Sequence, residues 1–343
     1  MRVVDVFCGC GGLSLGLQNA GFEVISGFDN WAKAVNVYNE NFDHTCFLQD
    51  LSNRKETVKL ISSLNHDMIV GGPPCQDFSS AGKRDITLGR ADLTYDYAYL
   101  INIIKPNWFI MENVDRVRKS HILHEIIEDF KKSGYGLTSV ILDASYCNTP
   151  QKRKRFFLIG ELGGQHNILL PYLQKKLANI PMTIRDYLGN TLGLTYYYRH
   201  PRNYSRRGIY SIDEPSPTVR GVNRPLPKTY VLNQSDSKEA DLSLVRSLTT
   251  IERSYIQTFP KNFVFKGTKT DLEQMIGNAV PVNLATFVGE GIKEYLKDKK
   301  YNVLPNNMTQ DFKLCDAVLK KKFDFIDEKK GQLDIFTKCY EFL

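Results

Sequence analysis

Arg2-Val3-Val4-Asp5-Val6-Phe7-Cys8-Gly9-Cys10-Gly11-Gly12-Leu13 opens the chain with an apolar, β-branched run, breaks it with three glycines in four positions, and resumes as an amphipathic stretch to Ala20. Such a run, break and resumption predict a strand, a tight turn and a helix. The same rhythm continues outward. Segments 2–7, 23–28, 45–49, 67–71, 107–112, 136–143 and 155–160 have strand character, and 13–20, 31–41, 54–64, 92–104 and 119–132 have helical periodicity. Strands alternating with helices predict an α/β fold. The expected architecture is a Rossmann-like, doubly wound, mostly parallel sheet with helices on both faces, which binds ligands at the carboxyl ends of its strands.

The first turn has Gly9, Gly11 and Gly12 in a GxGG spacing, which differs from the GxGxxG of a dinucleotide site and points to a nucleoside-like cofactor without a pyrophosphate. Asp29 follows the second strand, where an acid can accept from ribose hydroxyls, and Asp50 follows the third, where one can accept from an exocyclic amine. Taken singly, the turn is a tight connection and each acid is a helix cap or a surface charge. Three strand ends in register favour the joint reading.

Asp67-Met68-Ile69-Val70 runs into Gly71-Gly72-Pro73-Pro74-Cys75-Gln76, so that one thiol stands at a stiffened strand exit. A thiol held in this way suits a nucleophile; the alternative is a small apolar residue in a turn. The polar loop from Gln76 to Gly89 is long for such a domain. The next strand, Trp108-Phe109-Ile110-Met111, ends in Glu112-Asn113-Val114, and parallel neighbours bring Glu112 to the same edge as Cys75. A carboxyl there can keep or share a proton, unless it is only a cap. In Gln151-Lys152-Arg153-Lys154-Arg155, alternation points Arg153 and Arg155 the same way, toward a site or into solvent.

With 343 residues, 42% hydrophobic and 24% charged, the chain suits about two globular domains, and no apolar run approaches a membrane span. No basic leader or apolar signal core is seen. Seven cysteines without a CxxC pair argue against a disulfide framework and against zinc, so reduced thiols, no metal and a cytoplasmic location are expected. The net charge of +7 is concentrated between 170 and 245, where Tyr196-Tyr197-Tyr198-Arg199-His200-Pro201-Arg202, Arg206-Arg207 and Arg220-Gly221-Val222-Asn223-Arg224 interleave arginine with tyrosine. That mixture suits phosphate contact, stacking and the reading of guanine edges. Four prolines between 215 and 227 predict loops and edge strands there rather than helices. Thr249 or Thr250 with Glu252 starts a helix, and Gly277-Asn278-Ala279-Val280-Pro281 opens another with Leu284, Val288, Ile292 and Tyr295 as its apolar face.

In this order the pieces resemble the DNA cytosine-5 methyltransferases that use S-adenosylmethionine, from Asp5 to about Leu296. Asp5 to Gly12 is similar to the family's first motif, Pro73-Pro74-Cys75-Gln76 to the nucleophile motif, Glu112-Asn113-Val114 to the acid motif, Gln151 to Arg155 to QxRxR, and Gly277 to Pro281 to the last cofactor-side motif. Leu248-Thr249, Glu252 and Phe259-Pro260 resemble the motif that supports the recognition domain. The resemblance implies a methyltransferase sheet with a smaller, loop-rich β recognition domain. The implied boundaries are 1–168 catalytic, 169–246 recognition, 247–300 returning to the catalytic domain, and 301–343 an extension without assigned chemistry.

It also implies residue roles. Cys75 attacks the base, Glu112 donates to it, and Arg153 and Arg155 hold it. The cofactor falls to Phe7, Gly9, Gly11, Gly12, Asp29 and Asn30, with Asp50, Leu51, Pro73, Asn278 and Ala279. DNA contacts fall to Gln76 and Ser79 and to Arg199, Arg202, Arg206, Arg207, Arg220 and Arg224. The implied partner is double-stranded DNA, with no membrane, in a monomer of bacterial or phage origin that a restriction endonuclease accompanies without necessary contact. Asn30 stands where an aromatic usually follows the second motif's acid, with Trp31 one place later. Leu88 replaces an acid ahead of Arg90 and Leu93, and Ile251 and Tyr255 replace arginines. An RNA cytosine methyltransferase, a catalytically silent DNA-binding regulator and a nicotinamide-dependent oxidoreductase are the competing readings.

Overall fold

A computed structural model describes residues 1–74, 93–203 and 206–301, together with the backbone of Phe323–Phe325. Cys75, Gln76, Ser79, Leu88 and Arg90, and nearly all of the 301–343 extension, therefore lie outside the described residues. The first half builds β1 (Arg2–Val6), α1 (Gly12–Asn19), β2 (Glu23–Asp29), α2 (Ala32–Asn39), β3 (Cys46–Leu48), α3 (Arg54–Ser62), β4 (Met68–Gly71), α4 (Leu93–Ile104), β5 (Trp108–Val114), α5 (His121–Lys132) and β6 (Tyr135–Asp143). Every strand and helix expected before residue 160 is present, within about two residues of its expected bounds.

The sheet has the order β3-β2-β1-β4-β5, all parallel, so strand order reverses between β1 and β4. Beyond β5 lies β8 (Lys154–Leu162), antiparallel to both β5 and β6, which places β6 parallel to the rest. Strand period alone did not show this inserted reversal. It follows from the short link between Asp143 and Lys154, since closely joined strands pair antiparallel. The backbone of Phe323–Phe325 pairs with β6 at the far edge.

Successive strand residues feed opposite cores. Val3, Met68, Val70, Trp108 and Ile110 pack with α1 and a C-terminal helix, whereas Val4, Ile69, Phe109 and Met111 pack with α3, α4 and α5. Burial on both faces is why these strands are continuously apolar instead of alternating.

The second half corrects three expectations. α6 (Leu170–Lys176) lies inside the 169–246 stretch expected to be a loop-rich β unit, and Leu169, Leu170, Tyr172 and Leu173 join the core of the large sheet. This helix, expected to belong to the 169–246 unit, packs on the large sheet. α7 (Ile184–Leu188) is also helical, held by a Thr183–Asp186 capping box that outweighs the local loop composition. Finally, Gly277 and Asn278 close α9 (Lys269–Asn278) instead of opening a helix, and α10 (Val282–Lys300) starts after Pro281, because a proline holds the residue before it out of the helical region. The Thr249 cap with Glu252 does start α8 (Thr250–Ile256), and Leu284, Val288, Ile292 and Tyr295 are buried as expected.

The smaller unit is a three-stranded sheet of β10 (Ile209–Ser211), β9 (Tyr196–Tyr198) and β12 (Arg246–Ser247). Its core borrows Ile256 and Ile276 from α8 and α9. A parallel pair of β11 (Ser216–Pro217) with β7 (Gln151–Lys152) fastens it to the catalytic strand.

Helix α1 carries the cofactor turn and rests on α10 at Gly16, where an added Cβ would lie 2.4 Å from the Ala285 Cβ and 2.4 Å from the Val282 carbonyl oxygen. Gly16→Val should therefore lower unfolding stability by at least about 1–3 kcal/mol, seen as a lower urea midpoint at unchanged slope. An unchanged midpoint would show that the two helices separate freely.

Candidate active site

At the point where strand order reverses, the carboxyl ends of β1, β2, β4 and β5 and the α9–α10 link enclose a cleft of about 480 Å³ among the described residues. Such crevices are where open α/β sheets bind their ligands.

One wall comes from the first turn. Phe7 leaves β1 at φ +58°, an uncommon conformation for a bulky residue, and lines the cleft with Cys8, Gly9 and Gly12. Asp29 clamps this turn to the end of β2: its Oδ2 accepts from the Gly9 amide at 2.8 Å and its Oδ1 from the Trp31 amide at 2.8 Å. Burial pushes the Asp29 carboxyl up, and these amides pull it back. Asn30 and Trp31 both line the cleft, so the displaced aromatic still reaches it. Asn278 and Ala279 form the opposite side with Met275 and Gln274, two residues that sequence reasoning missed because α9 itself was not foreseen.

Three expected contacts lie outside the lining. Asp50 is exposed and outside the lining, and its Oδ1 accepts from the Ser52 amide at 3.0 Å and the Ser52 hydroxyl at 2.8 Å. Leu51 is buried in the core against which Phe7 packs. Gly11 sits at φ +93° as the cap of α1, shaping the turn without lining the cleft.

Asp5 is the unforeseen acid. It lines the cleft and is fully buried; Oδ2 accepts from Ser14 Oγ at 2.6 Å, and Oδ1 has no hydrogen-bond partner among the described residues. An orphaned carboxylate oxygen beside Asp29, with Phe7, Trp31 and Pro73 as apolar walls, fits a nucleoside ligand that carries positive charge.

The chemical wall is built by β4, β5 and β8. Glu112 and Arg155 pair at 2.8 Å, both largely buried and both lining the cleft. Burial raises the Glu112 pKa, while Arg155 and then Arg153 oppose the rise. An added Cβ on Gly72 would sit 3.0 Å from Glu112 Oε2, so the exit of β4 passes close against the carboxyl. Asn113 Nδ2 donates to the Pro73 carbonyl at 3.1 Å and fixes the segment that leads to Cys75.

Arg153 requires correction as a residue that holds the base. Its guanidinium is turned away and buried, donating from Nη1 to the Val219 carbonyl at 3.0 Å and from Nη2 to those of Gly277 and Ala279 at 3.0 and 3.1 Å. The neighbouring Gln151 amide reaches Gln257 Oε1 at 2.7 Å and accepts from the Val219 amide at 2.8 Å.

On the recognition side, Arg199 and Arg220 line a hollow with Tyr197, Tyr198, His200 and Arg253. Burial and mutual repulsion with Arg199, Arg202 and Arg253 push Arg220 down to about 10. Arg253 went unnoticed in the sequence, one place from Glu252 in the α8 cap. Arg202, Arg206 and Arg224 are exposed. Arg207 is a second correction: it is held by both oxygens of Glu214, donates to the Ile209 carbonyl and lies over the Tyr210 ring at 4.4 Å, leaving little for DNA. Among the described residues no cluster of three or more metal-ligating side chains occurs, and no helix is long and apolar enough to cross a membrane.

Sheet order, acid-lined crevice and appended basic unit together define an α/β enzyme that takes a nucleoside-type ligand at its switch point. The chain belongs to the C-5 cytosine-specific DNA methylases, whose family model matches residues 1–294. It is 63% identical over 298 residues to Type II methyltransferase M.HindV of Haemophilus influenzae, covering 87% of this chain and 98% of that protein. It is 52% identical to Type II methyltransferase M.HgiDI of Herpetosiphon aurantiacus, over 89% of this chain and 98% of that one. Among solved structures, the Dnmt2 methyltransferase of S. pombe superposes with a TM-score of 0.62 at 16% identity, covering 87% of this chain and 99% of that one. The protein is therefore a DNA cytosine-5 methyltransferase whose methyl donor is S-adenosylmethionine, which removes the RNA-directed, silent-regulator and nicotinamide readings.

Burial pushes Asp5 from 3.8 to about 7, against the lowering effect of the Ser14 hydroxyl. The folded chain thus holds a proton that the unfolded chain releases across this interval. The stabilisation is complete below about pH 4 and is lost as pH rises through about 7, amounting to roughly 4 kcal/mol at most. Denaturant unfolding of wild type and Asp5→Asn from pH 4 to 8 should show wild type falling relative to the variant. Parallel profiles would mean that Asp5 titrates normally.

Proposed function

We propose that this chain methylates carbon 5 of one cytosine, flipped out of duplex DNA at a specific sequence, as the modification member of a Type II restriction system. The observation that carries this reading is the Glu112–Arg155 pair set against Gly72 at the mouth of the cleft, three residues before Cys75. The Type II names of its relatives support the restriction context. We further infer a cytoplasmic monomer that meets its endonuclease only through shared DNA.

Bound S-adenosylmethionine supplies an electrophilic methyl group. Phe7, Asn30, Trp31 and Pro73 would flank its adenosine moiety, Asp5 and Asp29 would face its polar and cationic groups, and Asn278 and Ala279 would close the far wall. The carboxylate of Asp50 and the buried Leu51 would act by shaping the turn after β3.

Carbon 5 of cytosine is a poor nucleophile, so Cys75 adds to carbon 6 and makes it enamine-like. Glu112, whose pKa burial raises, donates to ring nitrogen 3, and Arg155, whose guanidinium is anchored on Glu112, holds the base oxygen. Arg153 positions by tying Val219 to Gly277 and Ala279. Flipping costs a few kcal/mol. Gln76, Ser79 and the recognition arginines would offset that through contacts with DNA.

DNA with 5-fluorocytosine at the target should become covalently attached in the presence of S-adenosylmethionine, because fluorine cannot leave as a cation and the last elimination stops. Peptide mapping should place the bond on Cys75; Cys75→Ser should abolish it, and Glu112→Gln should slow it with cofactor binding retained. A bond on another cysteine would displace Cys75 from the mechanism.

The arginines divide by their partners. Arg199→Ala and Arg220→Ala should weaken DNA binding, and where the lost contact is to phosphate the salt slope should shrink by about 1. Arg207→Ala should leave the slope unchanged and lower the unfolding midpoint instead. Equal slopes for all three would move DNA contact elsewhere.

A further inference from the structure

Outside the reaction itself, two thiols meet at the wall of the cofactor cleft. The Sγ atoms of Cys8 and Cys46 are 3.3 Å apart, from residues on the first turn and on edge strand β3. Between them runs Gly27 of β2, which pairs with Cys46 in register; a Cβ at Gly27 would lie 3.1 Å from Cys8 Sγ. Glycine at that place is what lets the two sulfurs meet across the strand. Cys8 lines the cleft, whereas Cys46 is buried behind it.

We propose that Cys8 and Cys46 are an oxidation site at which a hydroperoxide forms a disulfide that reversibly closes the cofactor cleft. This rests on the reading that the cleft holds S-adenosylmethionine. The Cys8 thiolate attacks the peroxide, breaking the O–O bond to give a Cys8 sulfenic acid and hydroxide. Cys46 sulfur then attacks the Cys8 sulfur, the S–O bond breaks, and the departing hydroxide takes the Cys46 proton as water. In total, two thiols and one hydrogen peroxide give one disulfide and two waters.

A disulfide spans about 2.05 Å, so the sulfurs must approach by about 1.2 Å from their 3.3 Å separation. Cys46 is pinned by Asn39, which accepts from its amide at 2.7 Å and donates to its carbonyl at 3.0 Å. The movement therefore falls on the Phe7–Gly9 turn, which holds its place through the Gly9 amide on Asp29. Both residues beside Cys8 already have positive φ, +58° at Phe7 and +54° at Gly9, so the turn is where the backbone is least conventional. Burial, and contact with Cys46, keep the Cys8 thiol from ionising, which makes the reaction slow at neutral pH and faster in base. A ligand in the cleft covers Cys8 and should protect it.

The test uses the full chain and reads cofactor binding, since peroxide would also attack an expected nucleophile at Cys75. After treatment with hydrogen peroxide and alkylation, an unreduced digest should contain the Cys8–Cys46 linked peptide pair. By calorimetry the oxidised protein should bind S-adenosylmethionine about tenfold more weakly or worse, and dithiothreitol should restore it. Cys46→Ala should bind normally when reduced and keep that affinity after peroxide, and saturating cofactor during oxidation should suppress the link. A linked pair with unchanged affinity, or oxidation of other thiols while Cys8 and Cys46 stay reduced, would overturn the proposal. The cleft assignment is tested separately: unchanged affinity of reduced Asp29→Ala would refute it without any oxidant.

Discussion

A fully buried guanidinium cannot be left to the surrounding apolar core, and Arg153 is the point at which this chain has to answer that requirement. Its Nη1 and Nη2 donate to carbonyls of Val219, Gly277 and Ala279, drawn from the segment after β11 and from the end of α9 with the α9–α10 link. Removing those acceptors would strand a buried charge at a cost of several kcal/mol. Two distant segments are therefore held to the link between β7 and β8. Gln151 and Gln257 extend the knot, and Gln257 also donates to the Ala279 carbonyl at 3.0 Å. Two residues further along, at the start of β8, Arg155 lines the cleft and pairs with Glu112, so two arginines separated by a single residue are turned to different surroundings.

The three acids of the cleft show how environment divides identical groups. Asp29 spends both oxygens on backbone amides and serves as a clamp. Glu112 is held against a guanidinium that offsets part of its desolvation. Asp5 has only a serine hydroxyl and a spare oxygen, and burial pushes its pKa up to about 7. All stand at strand ends, where parallel strands release side chains at one edge.

The smaller unit shares its core with α8 and α9. Its small core includes Ile256 and Ile276, and its arginines crowd one another with Glu273 as the counter-charge on Arg253 at 3.4 Å. The hydrogen bonds of Arg153 to Val219, Gly277 and Ala279 tie this unit to the end of α9 and the α9–α10 link, which line the cleft.

Fold and motif order were legible in the sequence because they rest on short-range physics. Strand and helix periods, the Thr249 cap with Glu252, the glycine turn after β1 and the Gly-Pro exit before Cys75 each act within a few residues. From them came the sheet, the switch-point cleft, and the proximity of Glu112 to the strand that leads to Cys75. Helices α6, α7 and α9 were missed because composition around them resembles loop, while capping and burial against distant partners decide their state. The different orientations of Arg153 and Arg155, the closure of Arg207 on Glu214, the exposure of Asp50 and the contact of Cys8 with Cys46 were equally hidden. Those depend on where groups 66 to 126 residues away deliver their carbonyls, or on which neighbour a strand edge presents, and no local pattern carries that information. The residue types were thus set by sequence, and tertiary structure alone decided which of them point into the cleft, since burial and hydrogen-bond satisfaction are settled only when the segments meet.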